Sequence, residues 1–167
     1  MNRSVTLLLC VLLLAGFTTA QANDVEGDFK KNKAKYTREF FSMGEDASSG
    51  YDYVFYKNGP KIVMIRVIWS ASYTNELRIS DFYFDDDLVF HRKQTARKSQ
   101  LSLLKRGRDV PFVVKEEHHF SAGRLTKWIA DKKTIPPTDT RWAATEKDTL
   151  EHARSERESY SFLKENK

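Results

Sequence analysis

Two stretches that follow one pattern constrain the fold most, Asp81 to Phe90 and Glu117 to Trp128. Each opens with an acidic residue, runs through an aromatic or imidazole pair to a phenylalanine, passes a short polar turn and returns as a strand of large apolar side chains. Both predict β-hairpins. A further hairpin is predicted upstream, from Tyr51–Tyr56 into Lys61–Trp69 about Asn58-Gly59, because both turn residues tolerate the positive φ of a tight primed turn. Pro60 follows directly and cannot donate a ladder hydrogen bond, so a slightly longer loop is expected there.

The strand Ile62–Trp69 is apolar on both faces, with Val63, Ile65, Val67 and Trp69 alternating against Ile62, Met64 and Ile68. Such a strand belongs in the middle of a sheet with cover on both sides. Arg66 interrupts it, either as the partner of a nearby carboxylate or as an anion-binding group in a pocket. Asp85-Asp86-Asp87 lacks the alternating oxygens, glycine bend and closing glutamate of a calcium loop, so it reads as a solvated hairpin tip that discourages edge pairing.

In the last hairpin, a three-residue loop Ser121-Ala122-Gly123 sets Phe120 opposite Arg124, His119 opposite Leu125 and Glu117 opposite Lys127. His118 and His119 then point to opposite faces and cannot share one ion. No metal and no cofactor are expected.

The two ends read differently. Residues 1–22 have the form of an export signal, with Arg3, an apolar run from Val5 to Ala15 and the small residues Ala20 and Ala22 flanking Gln21. The apolar run is too short to span a bilayer, which takes about 20 residues. Cleavage near Ala22 implies a periplasmic or secreted chain, residues 23–167, forming a single domain without cysteine, since Cys10 leaves with the leader. Asp24 to Met43 predicts an amphipathic helix with Val25, Phe29, Tyr36, Phe40 and Met43 on one face and lysines on the others. Residues 132–140, with Pro136-Pro137, predict an extended connector, and residues 141–165 a charged C-terminal helix packed tightly near Trp142 and Leu150.

Residues 92–109 predict a basic loop, or a short helix that carries Leu101, Leu103 and Leu104 onto the body: Arg92, Lys93, Arg97, Lys98, Lys105, Arg106 and Arg108 precede the next acid, Asp109. With Arg66 they are the candidate anion-binding residues, suited to lipid or glycan phosphates of a cell envelope. The formal charge of +5 falls by one with the leader, a mild balance that does not predict nucleic acid. Phe82, Tyr83, Phe90 and Trp128 are the candidate anchors for a protein partner, provided they lie outside the core.

Three function classes follow. The leading one is a non-enzymatic envelope binding protein, acting as inhibitor, immunity or escort protein for another envelope protein. The second is a binder of anionic envelope ligands through the basic loop. The third is a small hydrolase using His118 with Glu116, Glu117 or Asp81 as acid and base.

Lys61-Ile62, the Asp81-Phe82-Tyr83-Phe84 and Leu88-Val89-Phe90 phrase, and Glu117-x-x-Phe120-x-x-Gly123-x-Leu125-x-x-Trp128 together resemble a loose group of small exported bacterial proteins, many of them lipoproteins, without an assigned function. This chain departs from the group in its histidines at the last hairpin and in lacking a lipobox cysteine. What the resemblance implies is a fold and no catalytic residues. The expected architecture is α+β, an antiparallel meandering sheet of about six strands with an N-terminal and a C-terminal helix.

Overall fold

The computed structural model describes residues 21–44 and 49–166. Eight antiparallel strands follow one another in chain order: β1 (Thr37–Met43), β2 (Ser49–Asn58), β3 (Lys61–Ala71), β4 (Glu76–Asp85), β5 (Asp87–Arg97), β6 (Val113–Ser121), β7 (Arg124–Ala130) and β8 (Lys133–Ile135). Helix α1 (Gln21–Asn32) precedes the sheet, α2 (Leu101–Lys105) lies between β5 and β6, and α3 (Trp142–Glu165) ends the chain. The α+β class and the meander are as the sequence predicts, but the sheet has eight strands rather than six. The expected export leader lies outside the described residues apart from Gln21 and Ala22, which open α1.

The additional strands are β1 and β8. Tyr36, Phe40 and Met43 fit a helical spacing, yet the helix stops at Asn32 and the chain continues through a 3₁₀ turn, Lys33–Lys35, into β1. Pairing with β2 places Phe40 and Phe41 in the hydrophobic clusters on opposite faces of the sheet, whereas a helix would leave one of them wet. Tertiary burial here outweighs the local period. Gly44 closes the β1–β2 connection with φ +146°, and an added Cβ would stand 2.6 Å from the Gly50 Cα. The connection therefore needs glycine.

β8 was hidden because its turn carries no glycine. Asp131 and Lys132 take φ of +46° and +67° and form a two-residue loop between Ala130 and Lys133. The proline pair ends this edge strand, so the expected extended connector is extended only over Lys133–Ile135, and Asp139 N–H then donates to the Pro136 carbonyl in a turn.

Two turns are tighter than predicted. Asn58 pairs with Lys61, so the loop is Gly59-Pro60, and Pro60 sits where no ladder donor is needed. Ser121 pairs with Arg124 across Ala122-Gly123, and a bulge at His119/Phe120 sets Phe120 opposite Leu125, His119 opposite Lys127 and Glu117 opposite Ile129. The predicted Glu117–Lys127 pair does not form; Glu117 meets Arg92 instead.

Helices cover both faces. α1, α2 and Val110 close one face over Tyr56, Met64, Ile68, Ile79, Tyr83 and Phe90. α3 closes the other over Phe55, Ile65, Phe82, Phe120 and Trp128. α3 packs along its length rather than only near Trp142 and Leu150, burying Thr149, Ala153, Glu156 and Leu163 from one side. Among the described residues, no helix is long and apolar enough to cross a membrane.

Candidate functional site

Cross-strand register sets two contrasting rows across the middle of the sheet. On the α3 face, Ile65, Phe82, His91, His118 and Trp128 stand opposite one another on successive strands. On the α1 face the adjacent row is Arg66, Asp81, Arg92 and Glu117, charges of alternating sign from β3 to β6.

The charged row is tightly paired. Arg66 donates from Nε to Asp81 Oδ1 and from Nη2 to Oδ2, both at 2.7 Å. Gln94, on β5, donates from Nε2 to Asp81 Oδ2 at 2.7 Å. Arg92 uses all three nitrogens: Nε donates to Glu117 Oε1 at 3.0 Å, while Nη1 and Nη2 hold the two carboxylate oxygens of Glu26 on α1 at 2.8 and 2.7 Å. These fork-to-carboxylate geometries are the strong form of charged hydrogen bond.

The difference between the two arginines matters. Among the described residues nothing accepts from Nη1 of Arg66, and this residue is only 8% exposed. It forms part of the floor of a cavity of about 300 Å³ under α1, together with Asp81, Gln94, Tyr56 and Tyr83. The hydroxyls of Tyr56 and Tyr83 likewise have no hydrogen-bond partner among the described residues. Phe29, Met64, Val110 and Phe112 form apolar walls, and Phe112 lies 5.1 Å over the Arg66 guanidinium. Lys30, Lys33 and Asp109 stand around the same cavity, with Lys33 Nζ 2.7 Å from Asp109.

Electrostatics fix the protonation of this floor. Burial opposes the charge on Arg66, but the Asp81 carboxylate outweighs it and holds the guanidinium more firmly protonated than usual. Burial, and then Asp81, push the Tyr83 hydroxyl up, so it keeps its proton. Burial would raise Glu26, yet hydrogen bonds from Arg92 and Lys30 hold it below the ordinary carboxylate value.

The sequence candidates separate accordingly. Arg66 is both carboxylate-paired and in a pocket. Residues 92–97 are the end of β5 rather than a loop, and much of the basic character is neutralised locally: Arg92 by Glu26 and Glu117, Lys93 by Glu116, and Lys105 by Asp52. Lys98 donates to the Ala71 carbonyl at 2.5 Å. Arg97, Arg106 and Arg108 form no carboxylate pair among the described residues. Phe82, Tyr83, Phe90 and Trp128 are all buried, at 0, 3, 2 and 5% exposure, so they are core residues and present no surface patch.

His118 is fully buried on the α3 face, whereas Asp81 and Glu117 belong to the α1 face, so these groups do not converge. His118 instead has its Nδ1 3.0 Å from His91 Nδ1 and its Nε2 3.4 Å from Glu116. His119 packs on Phe90 across the sheet. Among the described residues, no group of three or more metal-ligating side chains is placed to hold an ion.

Glu26, Tyr56, Gln94 and Phe112 escaped the sequence reading as site residues. One signal was present: Arg66 and Asp81 each interrupt an apolar strand and lie seven residues either side of the Tyr73-Thr74 centre of their shared turn. Compared with known proteins, the chain matches no family model, no curated protein and no solved structure.

Proposed function

We propose that the protein is a non-enzymatic binding protein that holds a small molecule in the cavity between α1 and the sheet. The observation that carries this reading is the open Nη1 edge of a buried Arg66, beside two tyrosyl hydroxyls without partners among the described residues. These donors face the cavity, so a ligand that enters it has to supply acceptors in place of water, because an unmade hydrogen bond costs about 1–3 kcal/mol. A ligand acceptor completes this set.

The cavity is at the small end of ligand sites, which run roughly 300–1,000 Å³, and it combines apolar walls with a few convergent polar groups. The rigid elements around it suit preorganised recognition, since β3, β4 and β5 present the floor and only α1 has to yield for access. The exported, periplasmic setting expected from residues 1–22 belongs to this proposal, with the cavity as the site of capture. An inhibitor or escort role loses its named anchors to the core, and a polyanion surface loses Arg92, Lys93 and Lys105 of the basic segment to carboxylate pairs.

Amide-resolved NMR against a library of small polar and amphipathic compounds tests the reading. Binders should shift resonances of Phe29, Tyr56, Arg66, Tyr83 and Phe112 together. Hits that scatter over the surface, or that perturb the α3 face alone, contradict it.

A further inference from the structure

The cavity is lined by both polar and apolar groups, and its charged side chains are paired. Three carboxylates line it, Glu26, Asp81 and Asp109, and each already meets a cation, respectively Arg92, Arg66 and Lys33. Four cations line it, because Lys30 joins those three. Lys30 shares Glu26 with Arg92, and Arg92 also meets Glu117, so the four cations are matched by four carboxylates, and the open donors are Arg66 Nη1 and the hydroxyls of Tyr56 and Tyr83. Phe29, Met64 and Phe112 offer apolar surface beside them.

We infer that the cavity binds a small amphipathic monocarboxylate, its carboxylate on Arg66 Nη1 and the two tyrosyl hydroxyls and its aliphatic or aromatic body against Phe29, Met64 and Phe112. This rests on the cavity being the ligand site. A carboxylate matches a planar guanidinium edge and supplies only acceptors to a floor that offers donors. It brings one negative charge to the cavity. A phosphate monoester brings close to two, and the second would lie beside Asp81, which is 1% exposed. An amine would meet the Arg66 cation, since the Asp81 oxygens already accept from Arg66 and Gln94.

Four matched probes separate these cases by isothermal titration: 3-phenylpropionate, 3-phenylpropyl phosphate, 3-phenylpropylamine and 3-phenylpropanol. The carboxylate should bind tightest, with the alcohol and amine weaker by roughly tenfold or more, the cost of losing one charged hydrogen bond. Tyr83→Phe should weaken the carboxylate several-fold while leaving the thermal midpoint near wild type, which keeps the test independent of substitutions at Arg66 that threaten folding. Equal binding of carboxylate and alcohol, tighter binding of the phosphate, or no effect of Tyr83→Phe overturns the ligand class and leaves the cavity as a site. No binding by any probe, with the amide resonances of α1 and β3 unmoved, overturns both.

Discussion

Arg66 and Asp81 meet side-on through two parallel 2.7 Å hydrogen bonds in the middle of the sheet, between the apolar Met64, Ile68 and Ile79 and the polar Gln94 and Arg92. Removing either partner leaves a buried charge without its counter-ion. Asp81→Asn or Arg66→Met should each destabilise the fold by about 3–5 kcal/mol, and Arg66→Met with Asp81→Leu should recover most of that loss. Urea unfolding of the three variants checks this. A double variant as unstable as the sum of the single ones would show that the pair itself, rather than the orphaned charge, holds the sheet.

The roof of the cavity depends on Arg92, which ties Glu26 of α1 to Glu117 of β6. Arg92→Gln should free α1 by about 1–3 kcal/mol while leaving β3 and β4 protected. Hydrogen exchange resolved by residue reads this directly: faster exchange from Phe29 to Asn32 with an unchanged Ile65 and Phe82. Uniform acceleration would mean that α1 is part of the global unfolding unit.

On the other face, Tyr160 of α3 accepts from Lys57 at 2.6 Å and reaches both oxygens of Glu39 at 3.0 Å. The hydroxyl thus joins α3 to β1 and β2. Tyr160→Phe should cost about 1–3 kcal/mol, because Lys57 and Glu39 lose a shared partner in a half-buried position. Thermal unfolding and exchange in α3 measure it, and an unchanged midpoint refutes the role.

The histidine row makes the fold acid-sensitive. His91 is held well below the ordinary imidazole value by burial first, then by His118, Lys93 and His152, and burial lowers His119 too. Both are neutral when folded, and the unfolded chain takes up protons below about pH 6.5. Stability is therefore fully present above that value and falls as pH drops below it, by roughly 1 kcal/mol per pH unit for each histidine. Glu116, which His118 and Lys93 hold at about 2, contributes stability that is fully present above about pH 4.5 and is lost only as pH falls from there toward about 2. Urea midpoints between about pH 7.5 and pH 5 should fall with acidification. A flat profile over that window contradicts the neutral, buried pair.

The order of strands was legible wherever alternation and turn residues agreed. β3, the Asp86 hairpin tip and the extent of α3 follow from the residues themselves. β1 misled because Tyr36, Phe40 and Met43 fit a helix as well as a strand, and only the burial of Phe40 and Phe41 on opposite faces decides between them. β8 was masked by a loop that uses Asp131 and Lys132 at positive φ in place of glycine. For the site, Arg66 was visible as an exception, but its openness was not. That property depends on Arg92 saturating its own nitrogens with Glu26 and Glu117 while Arg66 leaves one free, which is a matter of register and helix placement.

The central claim is that the open edge of Arg66 receives a ligand carboxylate. A crystal structure of the protein soaked with 3-phenylpropionate tests it most directly. The account predicts a carboxylate oxygen about 2.9 Å from Arg66 Nη1, with the phenyl ring against Phe29 and Met64. A probe bound elsewhere, or Arg66 Nη1 turned onto a protein carbonyl with Phe112 collapsed into the space, would contradict it.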